Sequence, residues 1–102
     1  MRKLKAAPAD VRRLVLAVRS AHHEGLARTT MTTVMVETDG EIEPVTVKVN
    51  GVASRAAGAA DFAVLIDDAA WSEATEAERL AAVDNALAGL RTVWREGELV
   101  VD

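Results

Sequence analysis

Hydrolytic or nucleophilic chemistry needs side chains that can share a proton, a lone pair or a metal ion, and this sequence supplies few of them. Its two histidines, His22 and His23, are adjacent and are followed by Glu24. Neighbouring helical side chains point about 100° apart, so the two imidazoles do not readily share one task. They can be read as a metal or proton site with Glu24, or as a helix end where imidazoles sit near free carbonyls; the second is the commoner use of such residues. A second group is Asp61, Asp67 and Asp68. Paired carboxylates can bind a hard cation, but placed just before a helix start they serve as loop solvation and as a complement to the helix dipole. A nucleophile would need a Ser, Thr or Lys beside a base, and these two histidines are the only imidazole bases on offer. With no cysteine in the chain, disulfides, Cys-zinc sites and thiol catalysis are excluded. Gly51, Gly58, Gly89 and Gly97 do not have the spacing of a phosphate-cradling loop. Of the two tryptophans, Trp94 continues an apolar helical stripe and is expected in the core. Trp71 lies just before that helix and is the candidate for a partner contact.

The elements that must position these residues come from a chain of 102 residues, 50% hydrophobic and 27% charged, with a net charge of −4. That length suits one domain, 1–102. Phe62, Trp71 and Trp94 are all of its aromatic residues, so the core must rest on Val, Leu, Ile, Met and Ala. The mild negative charge argues against binding a phosphate backbone and is too small for a nucleic-acid mimic, so no direct nucleic-acid partner is expected. Met1-Arg2-Lys3-Leu4-Lys5 is basic, but Arg12, Arg13 and Arg19 interrupt any apolar run behind it. Neither a signal peptide nor a membrane span is read there, and a cytoplasmic location is expected.

Along the chain, Pro8 opens a helix over about 9–23, with Val11, Leu14, Val15, Val18 and His22 on one face and Gly25 as the stop. Residues 30–38 alternate as a strand, and Asp39-Gly40 marks a turn. Val45, Val47 and Val49 alternate with Thr46, Lys48 and Asn50 as a second strand. Residues 52–60 form a short helical or irregular crossover, and Phe62 to Ile66 is a short apolar run expected to be a central strand. The last long element is a helix capped by Ser72 and ended by Gly97. Its large-residue stripe is Leu80, Val83, Leu87, Leu90 and Trp94. Its other side, Ala81, Asn85, Ala88, Gly89 and Thr92, is a groove of small residues, open to a partner or closely packed. If that face is buried, Gly89→Leu overpacks the fold. Leu99-Val100-Val101 is a terminal strand. The fold class is therefore α+β: an N-terminal helix, a small three- to four-stranded, mainly antiparallel sheet, and a long C-terminal helix packed on the sheet.

Two stretches carry a resemblance. Asp61-Phe62-Ala63-Val64-Leu65-Ile66 is followed by Trp71, and Glu78-Arg79-Leu80-Ala81-Ala82-Val83-Asp84-Asn85-Ala86-Leu87-Ala88-Gly89-Leu90 comes after it. From about His22 onward the order of elements resembles the zincin-like phage metallopeptidases, in which a segment close to DFxVxL…W precedes a helix with the pattern ER.A..DHELxH. In a helical H-E-x-x-H, two histidines four apart grip zinc and the glutamate activates its bound water. At the matching positions stand Asn85 for the first His, Ala86 for the Glu and Gly89 for the second. The resemblance thus implies a minimal zincin-like core that has lost its metal ligands and general base, with no catalytic residue and no cofactor.

The function this leads to is that of a noncatalytic phage- or prophage-derived protein acting in the host bacterial cell by protein–protein binding. The specific version is an anti-CRISPR-like inhibitor of bacterial defence. Trp71, Asp84, Asn85 and Thr92 are its candidate contact residues. Two other readings stand beside it. One is a residual zinc hydrolase using His22, His23 and an Asp of the 61–68 region. The other is a phage structural or assembly accessory protein, a homodimer paired through Leu99-Val100-Val101.

Overall fold

The most apolar strand of the chain lies at the centre of the main sheet. A computed structural model describes residues 3–26, 29–37, 43–95 and 98–101. Its elements are β1 (Lys3–Ala6), α1 (Ala9–His22), a 3-10 turn (Glu24–Leu26), β2 (Met31–Glu37), β3 (Val45–Val49), α2 (Val52–Ala56), β4 (Phe62–Asp67), α3 (Asp68–Glu73), α4 (Glu76–Ala88), β5 (Thr92–Arg95) and β6 (Glu98–Val101). The architecture is α+β. A mixed four-stranded sheet has the order β1-β2-β4-β3, and β5 and β6 form a separate two-stranded ribbon. β1 runs antiparallel to β2 and β3 antiparallel to β4, whereas β2 and β4 are parallel.

The expected run over residues 62–66 is indeed central, because β4 is the strand best able to lose water. Phe62, Val64 and Ile66 are fully buried on one face. The register brings Met31, Thr33 and Met35 of β2 and Val45, Val47 and Val49 of β3 beside them. α1 adds Val11, Val15 and Val18 to the same cluster, and α4 adds Val83 and Leu87. Burial of each large aliphatic side chain contributes roughly 1.5–3 kcal/mol, more than a helix cap at about 1 kcal/mol, so packing rather than propensity holds α1 and α4 on the sheet. On the opposite face Val34, Ala63 and Leu65 are half-buried and Leu4 is exposed.

A parallel pair needs a crossover, and here β3 and α2 supply it. The turn expected at Asp39-Gly40 lies outside the described residues; the strands on either side of it are not neighbours, because β4 inserts between them. The parallel pair is pinned where it begins. Asp61 Oδ2 accepts from the Thr30 N–H at 2.8 Å and from Thr30 Oγ1 at 3.2 Å. The Asp61 N–H donates back to Thr30 Oγ1 at 2.9 Å. Arg55 Nη1, from α2, stands 3.5 Å from Asp61 Oδ1. Gly58 closes α2 with a φ of 102°, a conformation that costs glycine little.

The C-terminal third departs from the single long helix expected between Ser72 and Gly97. Asp67, buried, caps the short α3 by accepting from the Ala70 N–H at 2.9 Å. Ser72 is no N-cap: it lies within α3, its hydroxyl donating to the Asp68 carbonyl. The cap of α4 is Thr75, in a reciprocal box with Glu78. α4 stops at Ala88 with Gly89 as its C-cap, so Gly89 is not mid-helix and carries no interior penalty. A Cβ built there would meet only the Ala86 carbonyl at 3.6 Å, an ordinary contact, and Gly89 is exposed, so the buried face on which overpacking by Gly89→Leu depended is absent at this position. Beyond it Thr92, Val93 and Trp94, β-branched and aromatic, form β5 rather than a further helical turn. The i, i+3/i+4 stripe is fully buried only at Val83 and Leu87, with Leu90 partly buried against the core; Leu80 is 42% and Trp94 68% exposed. Leu99-Val100-Val101 is a strand as expected, paired within the chain to β5. Thr92, Trp94 and Val101 share one face of this ribbon by register. Val101 is buried in the core whereas Trp94 is exposed, so the ribbon leaves the body of the fold. Lys3–Ala6, read from sequence only as a basic N-terminus, forms the edge strand β1.

Two outcomes test this description. Asp61→Ala removes a charge-assisted acceptor from a partly exposed site and is expected to cost about 1–2 kcal/mol; urea denaturation measures it, and a loss under about 0.5 kcal/mol would separate the clip from strand pairing. The second concerns pH. The Thr75 backbone N–H first, and its hydroxyl second, hold the Glu78 carboxyl below the ordinary glutamate range. A carboxyl whose folded value is depressed contributes stability above its unfolded value and loses it as pH falls through the folded one. Wild type should therefore exceed Glu78→Gln in urea midpoint at pH 7, with a narrower gap at about pH 3, below the reference glutamate value. A gap of equal size at both pH values would contradict this.

Candidate functional site

Helix α4 is positioned by its buried residues Val83 and Leu87, and this leaves its flanks to border two clefts. The larger, about 410 Å³, lies between α4 and the start of β3, lined by Glu43, Pro44, Val45, Ala82, Asn85 and Ala86. The smaller, about 220 Å³, lies between α4 and α1, lined by Val18, His22, Leu80, Ala81 and Asp84. The small-residue groove expected along Ala81, Asn85, Gly89 and Thr92 is thus not continuous. Ala81 borders one cleft and Asn85 the other, Gly89 caps the helix, and Thr92 lies half-buried in β5. A full turn of helix separates Ala81 from Asn85, but the packing of α1 on one flank and β3 on the other decides which space each faces.

Of the four expected contact residues, Trp71 is overturned. It is 5% exposed and belongs to the core cluster. The Arg79 guanidinium sits 5.1 Å over its ring, and Arg79 Nε donates to the Trp71 carbonyl at 2.9 Å. The short α3 turns this tryptophan inward, which no local pattern announces. Asn85 is exposed and borders the larger cleft. Asp84 is committed elsewhere: His23 Nε2 stands 2.7 Å from Asp84 Oδ1, tying the end of α1 to α4. Its carboxylate accepts from the imidazole, whose side chain is 14% exposed. His22, expected on the apolar face of α1, is exposed, and the imidazole turned toward the protein is that of His23.

The three positions that resemble the metal motif all fall on α4 or its cap. Asn85 and Ala86 face the larger cleft, and Gly89 has no side chain to present. A carboxamide, a methyl group and a hydrogen are poor groups for gripping zinc or taking a proton from its water. His22, His23 and the acids of 61–68 are not assembled either. Asp61 holds Thr30, Asp67 caps α3, and Asp68 Oδ2 is 3.2 Å from Lys5 Nζ. Among the described residues no three His, Asp or Glu side chains are grouped so as to hold a metal ion. Among the same residues, no helix is long and apolar enough to cross a membrane.

Sequence reasoning missed Glu43, Pro44 and Val45 as cleft residues and the His23–Asp84 pair. Neither has a local signature, since each joins segments some 40 to 60 positions apart. The Thr75-x-x-Glu78 spacing, by contrast, was a readable start signal for α4.

The His23–Asp84 contact predicts a measurable coupling. In a double-mutant cycle with His23→Gln and Asp84→Asn, the pair should contribute about 0.5–1 kcal/mol at neutral pH. Additive single effects would mean that the two residues do not cooperate in joining α1 to α4. Compared with known family models, curated proteins and solved structures, the chain matches none of them.

Proposed function

We propose that this chain is a noncatalytic protein of phage or prophage origin that acts by binding another protein through the α4 face, and that its target belongs to bacterial defence. The observation that carries the reading is the place of Asn85 and Ala86. They stand where the resemblance expects a zinc ligand and a general base, and they border an open cleft against β3. The frame keeps an accessible concave surface while the residues on it have changed from reactive to inert. The phage origin rests on the resemblance of 61–71 and 78–90, and the defence target on analogy with other small acidic phage proteins.

Asn85 is exposed, so Asn85→Arg can fill the cleft without disturbing the core. Immobilised wild-type protein is expected to retain a stoichiometric bacterial partner, and the variant to retain at least about tenfold less, the loss of roughly 1.4 kcal/mol or more. Expression in a CRISPR-defended host should raise phage plating efficiency with wild type and not with the variant. Equal capture by both proteins, or no stoichiometric partner, would remove the α4 face from the reading. Elemental analysis of protein purified without chelator checks the noncatalytic part: substoichiometric zinc is expected, and full occupancy would overturn it.

A further inference from the structure

The larger cleft has a chemical bias of its own. Among the described residues that line it, the polar side chains are Glu43, an exposed carboxylate, and Asn85, whose amide oxygen is a second acceptor; Pro44, Val45, Ala82 and Ala86 are aliphatic. Among the same residues there is no lysine, arginine or histidine. Asn85 and Ala86 belong to the last turn of α4, the negative end of its dipole. The geometry points to a long cationic side chain, lysine or arginine, of a partner protein as the occupant of this cleft. Its methylenes would lie along the aliphatic walls and its charged head would meet Glu43 and the Asn85 amide oxygen. This inference rests on the reading of α4 as a protein-binding face and names the chemistry that face selects. Because Glu43 is solvent-exposed, the discrimination is modest, about threefold or more.

The test uses the full chain, isotope-labelled, titrated with N-acetyl-arginine amide, N-acetyl-lysine amide and the neutral isostere N-acetyl-citrulline amide. Saturable amide shifts are expected at Val45, Ala82, Asn85 and Ala86 with both cations, and citrulline should bind at least about threefold more weakly than arginine. Glu43→Gln, a surface change whose fold the same spectra verify, should abolish that difference. Equal binding of arginine and citrulline, a preference that survives in Glu43→Gln, or no saturable shift at these residues would overturn the inference. The outcome is separable from that of the broader reading. A partner lost on Asn85→Arg together with no cation preference defeats only the inference, whereas a cation preference with no captured partner defeats only the reading.

Discussion

The reciprocal Thr30–Asp61 clip starts the one parallel strand pair among the described residues, and most of the remaining architecture follows from that pair. Parallel neighbours cannot be joined by a tight turn, so β3 and α2 must intervene, and β4 must close the sheet from the inside. Once β4 is central, Phe62, Val64 and Ile66 define the buried face, and α1 and α4 have one side of the sheet to cover. A slip of one residue would turn those three side chains to the other face, which makes the register a strong constraint. Asp61 supplies that constraint with a single carboxylate that also meets Arg55 of the crossover helix.

The position of α4 is the second consequence. Val83 and Leu87 hold it to the core, and the flanks on either side of that stripe border the two clefts. α4 is thus a helix with a buried stripe and partly accessible shoulders. Asn85 and Ala86 occupy one shoulder, Asp84 the other, and the His23 contact keeps Asp84 tied to α1.

How far the sequence could be read varied with the range of the forces involved. The strands 31–37, 45–49 and 62–67 were visible as β-branched alternation and an apolar run, and α1 as spacings of three and four. The C-terminal region failed because two patterns coincide there. The apolar residues Leu80, Val83, Leu87, Leu90 and Trp94 keep helical spacing throughout, but Thr92-Val93-Trp94 has β character and finds a partner in Leu99–Val101. That long-range pairing outweighs local periodicity once Gly89 has ended the helix. Ser72 was read as the cap, but Thr75, with a glutamate three residues on to complete the box, is the residue that caps α4. Trp71 was misjudged because a six-residue helix turns it inward beneath Arg79.

Composition and local pattern alone determined that the chain is α+β with a largely aliphatic core, and that it has no cysteine and no H-E-x-x-H, since each of these depends on residue identity or near-neighbour spacing. Strand order, the Thr30–Asp61 clip, the His23–Asp84 tie and the cleft joining Glu43 to Asn85 were decided by tertiary structure. Each brings together groups distant in the chain, and the energy that selects them comes from burying one common core rather than from any local preference.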